Sequence, residues 1–168
     1  IRRLICASNS NNILTDFLTD GVYDRNRPFH TTMSPSMDIL ISSNLERLIY
    51  LMTDAATTSE LMNELSSTGR YKLPREAFDK IKEVFSGFCA DEAGTAEAIK
   101  AHFVNAHYLC DTHTAVALSC VDKYLSGIAD DIKRPVLAAS TASPYKFAAD
   151  VLSSLTEKVS PEGPAALN

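Results

Sequence analysis

The chain has 168 residues, of which 45% are hydrophobic and 22% charged, with a formal net charge of −5. A chain of this length buries roughly 70% of the surface its unfolded form exposes, which excludes a disulfide-stapled miniprotein and an intrinsically disordered segment. The acidic balance leaves no electrostatic footprint for nucleic acid, and neither a membrane-spanning run of about 18 apolar residues nor a signal peptide is visible.

The chain opens on Ile1-Arg2-Arg3-Leu4-Ile5-Cys6-Ala7, with no Met and no turn before a strand-like run, which reads as a piece of something longer. Leu4 to Ala7 is a short apolar strand closed by Ser8-Asn9-Ser10-Asn11-Asn12, five residues that favour turns and helix N-caps. Ile13, Leu14, Phe17 and Leu18 then form one face of a helix that Gly21 ends. Tyr23 to Pro35 has two prolines and no period, and reads as a long functional loop.

From Ser36, the positions Met37, Ile41, Leu45, Leu48 and Met52 keep helical spacing, with Ile39, Ile49 and Leu51 filling the other side, so a helix buried on most faces is expected. Thr57 and Glu60 have capping-box spacing ahead of a helix that Gly69 stops. Pro74 suits the first turn of a helix carrying Phe78, Ile81 and Phe85, and a further helix carries Ala96, Ile99 and Phe103. Asp111 or Thr112 caps a helix whose inner stripe is Ala117, Cys120, Val121 and Tyr124, ending near Gly127. Pro135 to Ala139 reads as a second buried strand. It leads through Ser140-Thr141-Ala142-Ser143-Pro144 into a helix with Ala148, Val151, Leu152 and Leu155 on its stripe.

Two strand-like runs against about seven helices make a helix-rich α/β chain with an incomplete sheet, too few strands for a doubly wound domain. One domain over residues 1–160 and a tail over 161–168 are expected, the tail marked by Pro161-Glu162-Gly163-Pro164. The four cysteines, Cys6, Cys89, Cys110 and Cys120, include no Cys-x-x-Cys pair and read as reduced, buried thiols of a cytoplasmic protein.

In open α/β sheets, ligands bind beyond the carboxyl ends of strands, at helix N-termini. The chain has two such junctions, Ser8 to Asn12 and Ser140 to Pro144, whose alternative reading is helix capping. Cys110 three residues before His113 supplies the residue types of a Cys/His nucleophile, but the spacing does not orient them, and Cys110 fits better beneath the helix start. The histidines lack metal-ligand spacing, so no metal site is expected. Arg25 and Arg27 place two guanidinium forks in the long loop, suited either to an anion or to solvent, and Glu46-Arg47 fits an intramolecular ion pair.

Three strings go beyond generic propensity: ICASNSNNILTDFLTDGVYDRNRPFHTTMSPSMDILISSNLERLIY from Ile5 to Tyr50, DTHTAV from Asp111 to Val116, and STASPYKF from Ser140 to Phe147. In this order and spacing the chain resembles the carboxyl-terminal part of threonine synthases of the long bacterial and fungal type. DTHTAV departs from the family's usual DPHTAV, and Ser143 stands where many members have His.

The resemblance implies a fold-type-II pyridoxal-phosphate (PLP) enzyme, related in fold to the tryptophan synthase β subunit, that converts O-phospho-L-homoserine and water to L-threonine and phosphate. The family's Schiff-base lysine and Gly-rich phosphate loop lie upstream of the matching region, so no catalytic residue is assigned in this chain and the chain alone is expected to be inactive. The resemblance also implies that Thr141 faces the pyridine nitrogen of the cofactor. It leaves Ser140 and Ser143 as neighbours, and Asp111, His113, Thr114, Ser36, Asp38, Asn44 and Arg47 as supporting or substrate-side residues without assigned roles. The only partner implied is the small-molecule substrate, with neither nucleic acid nor membrane. A missing half of the fold would leave exposed surface through which the chain could self-associate. The alternative is a non-catalytic α/β binding or interaction module.

Overall fold

A computed structural model describes residues 2–127 and 135–156. The expected boundary at residue 160 and the tail beyond it lie outside the described residues. Strand β1 (Leu4–Ser8) pairs in parallel with β4 (Phe85–Cys89), Leu4 opposite Phe85 and Ser8 opposite Cys89. Successive side chains of a strand point to opposite faces, and the two faces of this pair are covered by different helices. Cys6 joins the core beneath α1 (Ile13–Asp20), whereas Ala7 and Phe88 pack against Val116 and Cys120 of α6 (Thr112–Ser126). The sheet is α/β and incomplete, as the composition of elements implied.

Helix α1 buries Ile13, Phe17 and Leu18 and ends at Gly21 in the left-handed conformation, φ +78°, where a side chain would be strained. The chain then forms β2 (Val22–Asp24), antiparallel to β3 (Arg70–Lys72) with Tyr23 opposite Tyr71. The two rings stack at 5.3 Å, and Phe17 meets each edge-on at about 6 Å. This aromatic trio joins Leu45 and Ile49 of α2 (Ser43–Met52), Leu61 and Leu65 of α3 (Ala55–Thr68), and Ala77, Phe78 and Ile81 of α4 (Arg75–Val84) in the main core. A second cluster joins Ala98 and Ile99 of α5 (Glu92–Ala106), Cys110, Ala115 of α6, and Val151 of α7 (Ala148–Thr156).

The structure corrects several expectations. The helix expected from Ser36 is a single 3₁₀ turn, Pro35–Met37, followed by irregular chain until α2 starts at Ser43. The reason is Asp38, whose carboxylate is held by Asn9, Asn11 and Thr32 and cannot leave with a continuing helix. Nor is α2 buried on most faces, since Ile41 before it and Tyr50 and Leu51 on it are more than half exposed. Helix α3 begins two residues ahead of Thr57, capped by the Asp54 carboxylate, which accepts from the Thr57 N–H at 2.8 Å. Pro74 sits at the cap of α4, and Phe85 belongs to β4, because the helical spacing Phe78, Ile81, Phe85 runs straight on into the strand.

On α5 the buried face is Thr95, Ala98 and Ile99, with Phe103 exposed. On α6 it is Thr112 to Val116 with Ser119 and Cys120, rotated from the expected stripe because the helix start is packed in polar contacts. Cys110 and Cys120 are buried and Cys6 and Cys89 half-buried, all four free. Residues 135–139 form no strand; they are exposed, with Leu137 95% accessible, and no strand among the described residues pairs with them.

Candidate functional site

The carboxyl end of β1 runs into Asn9, whose side chain is 1% exposed. Its amide Nδ2 lies 2.7 Å from Asp38 Oδ1, 2.8 Å from Thr32 Oγ1 and 3.0 Å from Ser34 Oγ, while its Oδ1 accepts from the Asn11 N–H. Asn11 in turn exchanges two bonds with the His30 backbone: its Nδ2 donates to the carbonyl at 2.8 Å and its Oδ1 accepts from the N–H at 2.9 Å. The Asp38 carboxylate also accepts from the Thr32 N–H and hydroxyl. The first junction therefore holds the segment from His30 to Asp38 against the strand end through side-chain amides, and these amides are used up in doing so.

The start of α6 abuts the same segment. Asp111, fully buried, caps the helix by accepting from the N–H groups of His113 and Thr114, and it also takes the Thr114 hydroxyl. His113 Nδ1 lies 3.3 Å from Asp111 Oδ1, and its Nε2 accepts from the Ser36 N–H at 3.1 Å. The imidazole also lies 4.6 Å from the Phe147 ring. A backbone N–H can donate only to an unprotonated nitrogen, so this contact fixes the neutral tautomer with its proton on Nδ1, toward Asp111.

From Thr114 the network reaches the second junction: Thr114 Oγ1 and the Tyr108 hydroxyl each lie 3.2 Å from Ser140 Oγ. Of the residues read from the sequence, Ser36, Asp38, Asp111, His113, Thr114 and Ser140 are thus gathered along the end of β1 and the start of α6. Thr141 adjoins Ser140, exposed and with its hydroxyl unpartnered among the described residues. Ser143 accepts from the Tyr145 N–H and caps the 3₁₀ turn Pro144–Phe147.

Asn44 and Arg47 stand apart, exposed on α2. Arg47 lines an open groove of about 570 Å³ with Ser43, Glu46, Tyr50, Leu51 and Thr58, and among the described residues Glu46 and Arg47 form no ion pair. The loop guanidinium groups are engaged within the chain. Arg27 bridges Asp16 at 2.7 Å and reaches Asn12, and Arg25 donates to the Ser66 carbonyl.

Nor do Cys110 and His113 make a nucleophile pair, since both ring nitrogens of His113 are taken and burial pushes the Cys110 thiol up to about 11. Asn9, Thr32 and Tyr108 were not singled out from the sequence. Asn9 stood inside a turn-forming string, and Thr32 and Tyr108 carry no spacing that marks them.

No family model matches the chain. It is 38% identical over 161 residues to human threonine synthase-like 1, covering 94% of this chain and 21% of that protein. With the threonine synthase of Saccharomyces cerevisiae it shares 33% identity over 171 residues, covering 93% of this chain and 33% of that protein. Among solved structures, yeast threonine synthase superposes with a TM-score of 0.85 at 30% identity over 96% of this chain and 36% of that one. PLP-bound threonine synthase from Brucella melitensis superposes with a TM-score of 0.82 at 33% identity over 98% of this chain and 34% of that one. The chain spans between about a fifth and a third of the length of the curated relatives it matches. Along nearly its whole length the chain is similar in sequence and fold to the corresponding part of threonine synthases.

Proposed function

We propose that this chain forms the carboxyl-terminal segment of a PLP-dependent threonine synthase acting on O-phospho-L-homoserine and water, and that Thr141 faces the cofactor's pyridine nitrogen. The observation that carries this reading is the Ser140-Thr141 step. It is held by Tyr108 and by Thr114 at the start of α6, and the Thr141 hydroxyl has no partner among the described residues.

The donor chemistry here fits the group. Thr141 offers a neutral hydroxyl that can donate to a ring nitrogen. The carboxylate that anchors the segment, Asp111, is buried and saturated by its own donors, so it does not compete for that nitrogen. When bound, the cofactor acts as an electron sink for carbanion chemistry on the amino-acid substrate. A hydroxyl partner leaves the pyridine weakly protonated, whereas a carboxylate would hold it cationic. Ser140 fixes the position of Thr141, and the Asn9–Asp38 bonds keep the neighbouring segment rigid.

The lysine and the phosphate-binding loop are contributed in this reading by the rest of the enzyme, and the isolated chain does not turn over. A non-catalytic module would need a surface for its partner, but Arg25 and Arg27, the residues best suited to one, are engaged internally. Thr141→Val in the full-length protein is expected to cut threonine formation at least tenfold with unchanged thermal unfolding. An equal loss of folded protein would overturn the cofactor reading in favour of a structural turn.

A further inference from the structure

Two hydrogen-bonded paths, one through Thr114 and one through His113, meet at the buried Asp111 carboxylate. The Thr114 hydroxyl lies within donating distance of the Asp111 carboxylate and of Ser140 Oγ, the latter at 3.2 Å. Ser140 Oγ also lies 3.2 Å from the Tyr108 hydroxyl. On the other side Asp111 faces the protonated Nδ1 of His113, whose Nε2 takes the Ser36 N–H. Thr114 thus links Asp111 to Ser140 and Tyr108, and His113 meets the same carboxylate with its other ring nitrogen on the Ser36 N–H.

We propose that Thr114 and His113 are positioning residues that share Asp111 to hold two otherwise unconnected segments at one place. Thr114 fixes the Ser140-Thr141 step, and His113 fixes the Pro35–Met37 turn. A hydrogen-bonded network anchored on a buried carboxylate favours one arrangement of the groups it joins. The consequence is local: Ser140 and Thr141 lie in an exposed stretch with no ladder partner among the described residues, so the Thr114 and Tyr108 hydroxyls are what order them. The inference rests on the assignment of Thr141 only for its functional meaning, and its test does not involve the cofactor.

The test is NMR on the full chain, labelled with ¹⁵N. The imidazole of His113 should show the neutral pattern with the proton on Nδ1. Backbone order parameters at Ser140 and Thr141 should be near the rigid value of about 0.85, and fall below about 0.6 in Thr114→Val. Thr114→Ser, which keeps the hydroxyl, should restore them, while the amides of β1 and α6 stay unchanged in both variants.

A proton on Nε2, unchanged order in Thr114→Val, or loss of order spread equally through β1 and α6 would each overturn the proposal. Should Thr114→Val not fold, Tyr108→Phe removes only the outer hydroxyl of a part-exposed ring. It must then lower order at Ser140, and no change there overturns the proposal. A negative result leaves the Thr141→Val experiment standing, so the two readings fail separately.

Discussion

Gly87 of β4 and Thr15 of α1 touch backbone to backbone: a Cβ on Gly87 would lie 2.7 Å from the Thr15 Cα. The Thr15 hydroxyl adds a 2.9 Å bond to the carbonyl of Phe88, so helix α1 is held against β4, the strand that pairs with β1 beside the site. Gly87→Ala is expected to destabilise the fold by about 1–3 kcal/mol through overpacking, read from the urea midpoint. A Cβ on Gly127 meets nothing closer than 3.6 Å, and Gly127→Ala should leave the midpoint unmoved.

The two protons of the buried Asn9 amide are shared among Asp38, Thr32 and Ser34, all within hydrogen-bond distance of Nδ2. Asn9→Ala leaves Asp38, Thr32 and Ser34 short of a donor, at a cost of about 2–3 kcal/mol. The same variant should raise hydrogen exchange at the Thr32 and His30 amides, while those of α5 remain protected. Equal exchange in all three places would show the network to be dispensable.

Burial pushes the Cys110 and Cys120 thiols up to about 11 from an ordinary 9.0. The folded state therefore favours the protonated thiol. The stabilisation this provides is complete below about pH 9 and is lost as pH rises through about 11. Iodoacetamide at pH 8 should spare both residues in the folded chain and modify them on unfolding. Rapid alkylation of Cys110 at pH 8 would contradict its packing.

The β1–β4 pair has no third strand among the described residues, and Val136 and Leu137 are exposed on the irregular run before Ser140. Unpaired strand edges and exposed apolar segments template association. Sedimentation of the isolated chain should show a mass that rises with concentration, and Leu137→Lys should lower it. A monomer at all concentrations would mean that these surfaces are self-sufficient.

The parts of the fold written in local chemistry were legible: β1 with its turn, α1 with Gly21, the Asp111 cap and α7. What escaped depended on contacts distant in sequence. β4 hides in the helical spacing of Phe78, Ile81 and Phe85, and β2 and β3 have only three residues each, too short for alternation to register. Residues 135–139 have the composition of a buried strand, but composition cannot supply a neighbouring strand.

At the site, the residue types at both junctions could be read, and Asp111 could be placed as a cap. That His113 turns its Nε2 to Ser36, 77 positions away, has no signature in spacing. Nor did sequence separate Arg47 on its exposed helix from Asp38 in its buried network, since both lie in one family-like string.

The most direct measurement is a crystal structure of the full-length protein with PLP bound. The account expects Thr141 Oγ1 at about 2.7–3.0 Å from the pyridine nitrogen, with Ser140 still held by Thr114 and Tyr108. A ring nitrogen facing another side chain, with Thr141 turned to solvent or capping a helix, would contradict it.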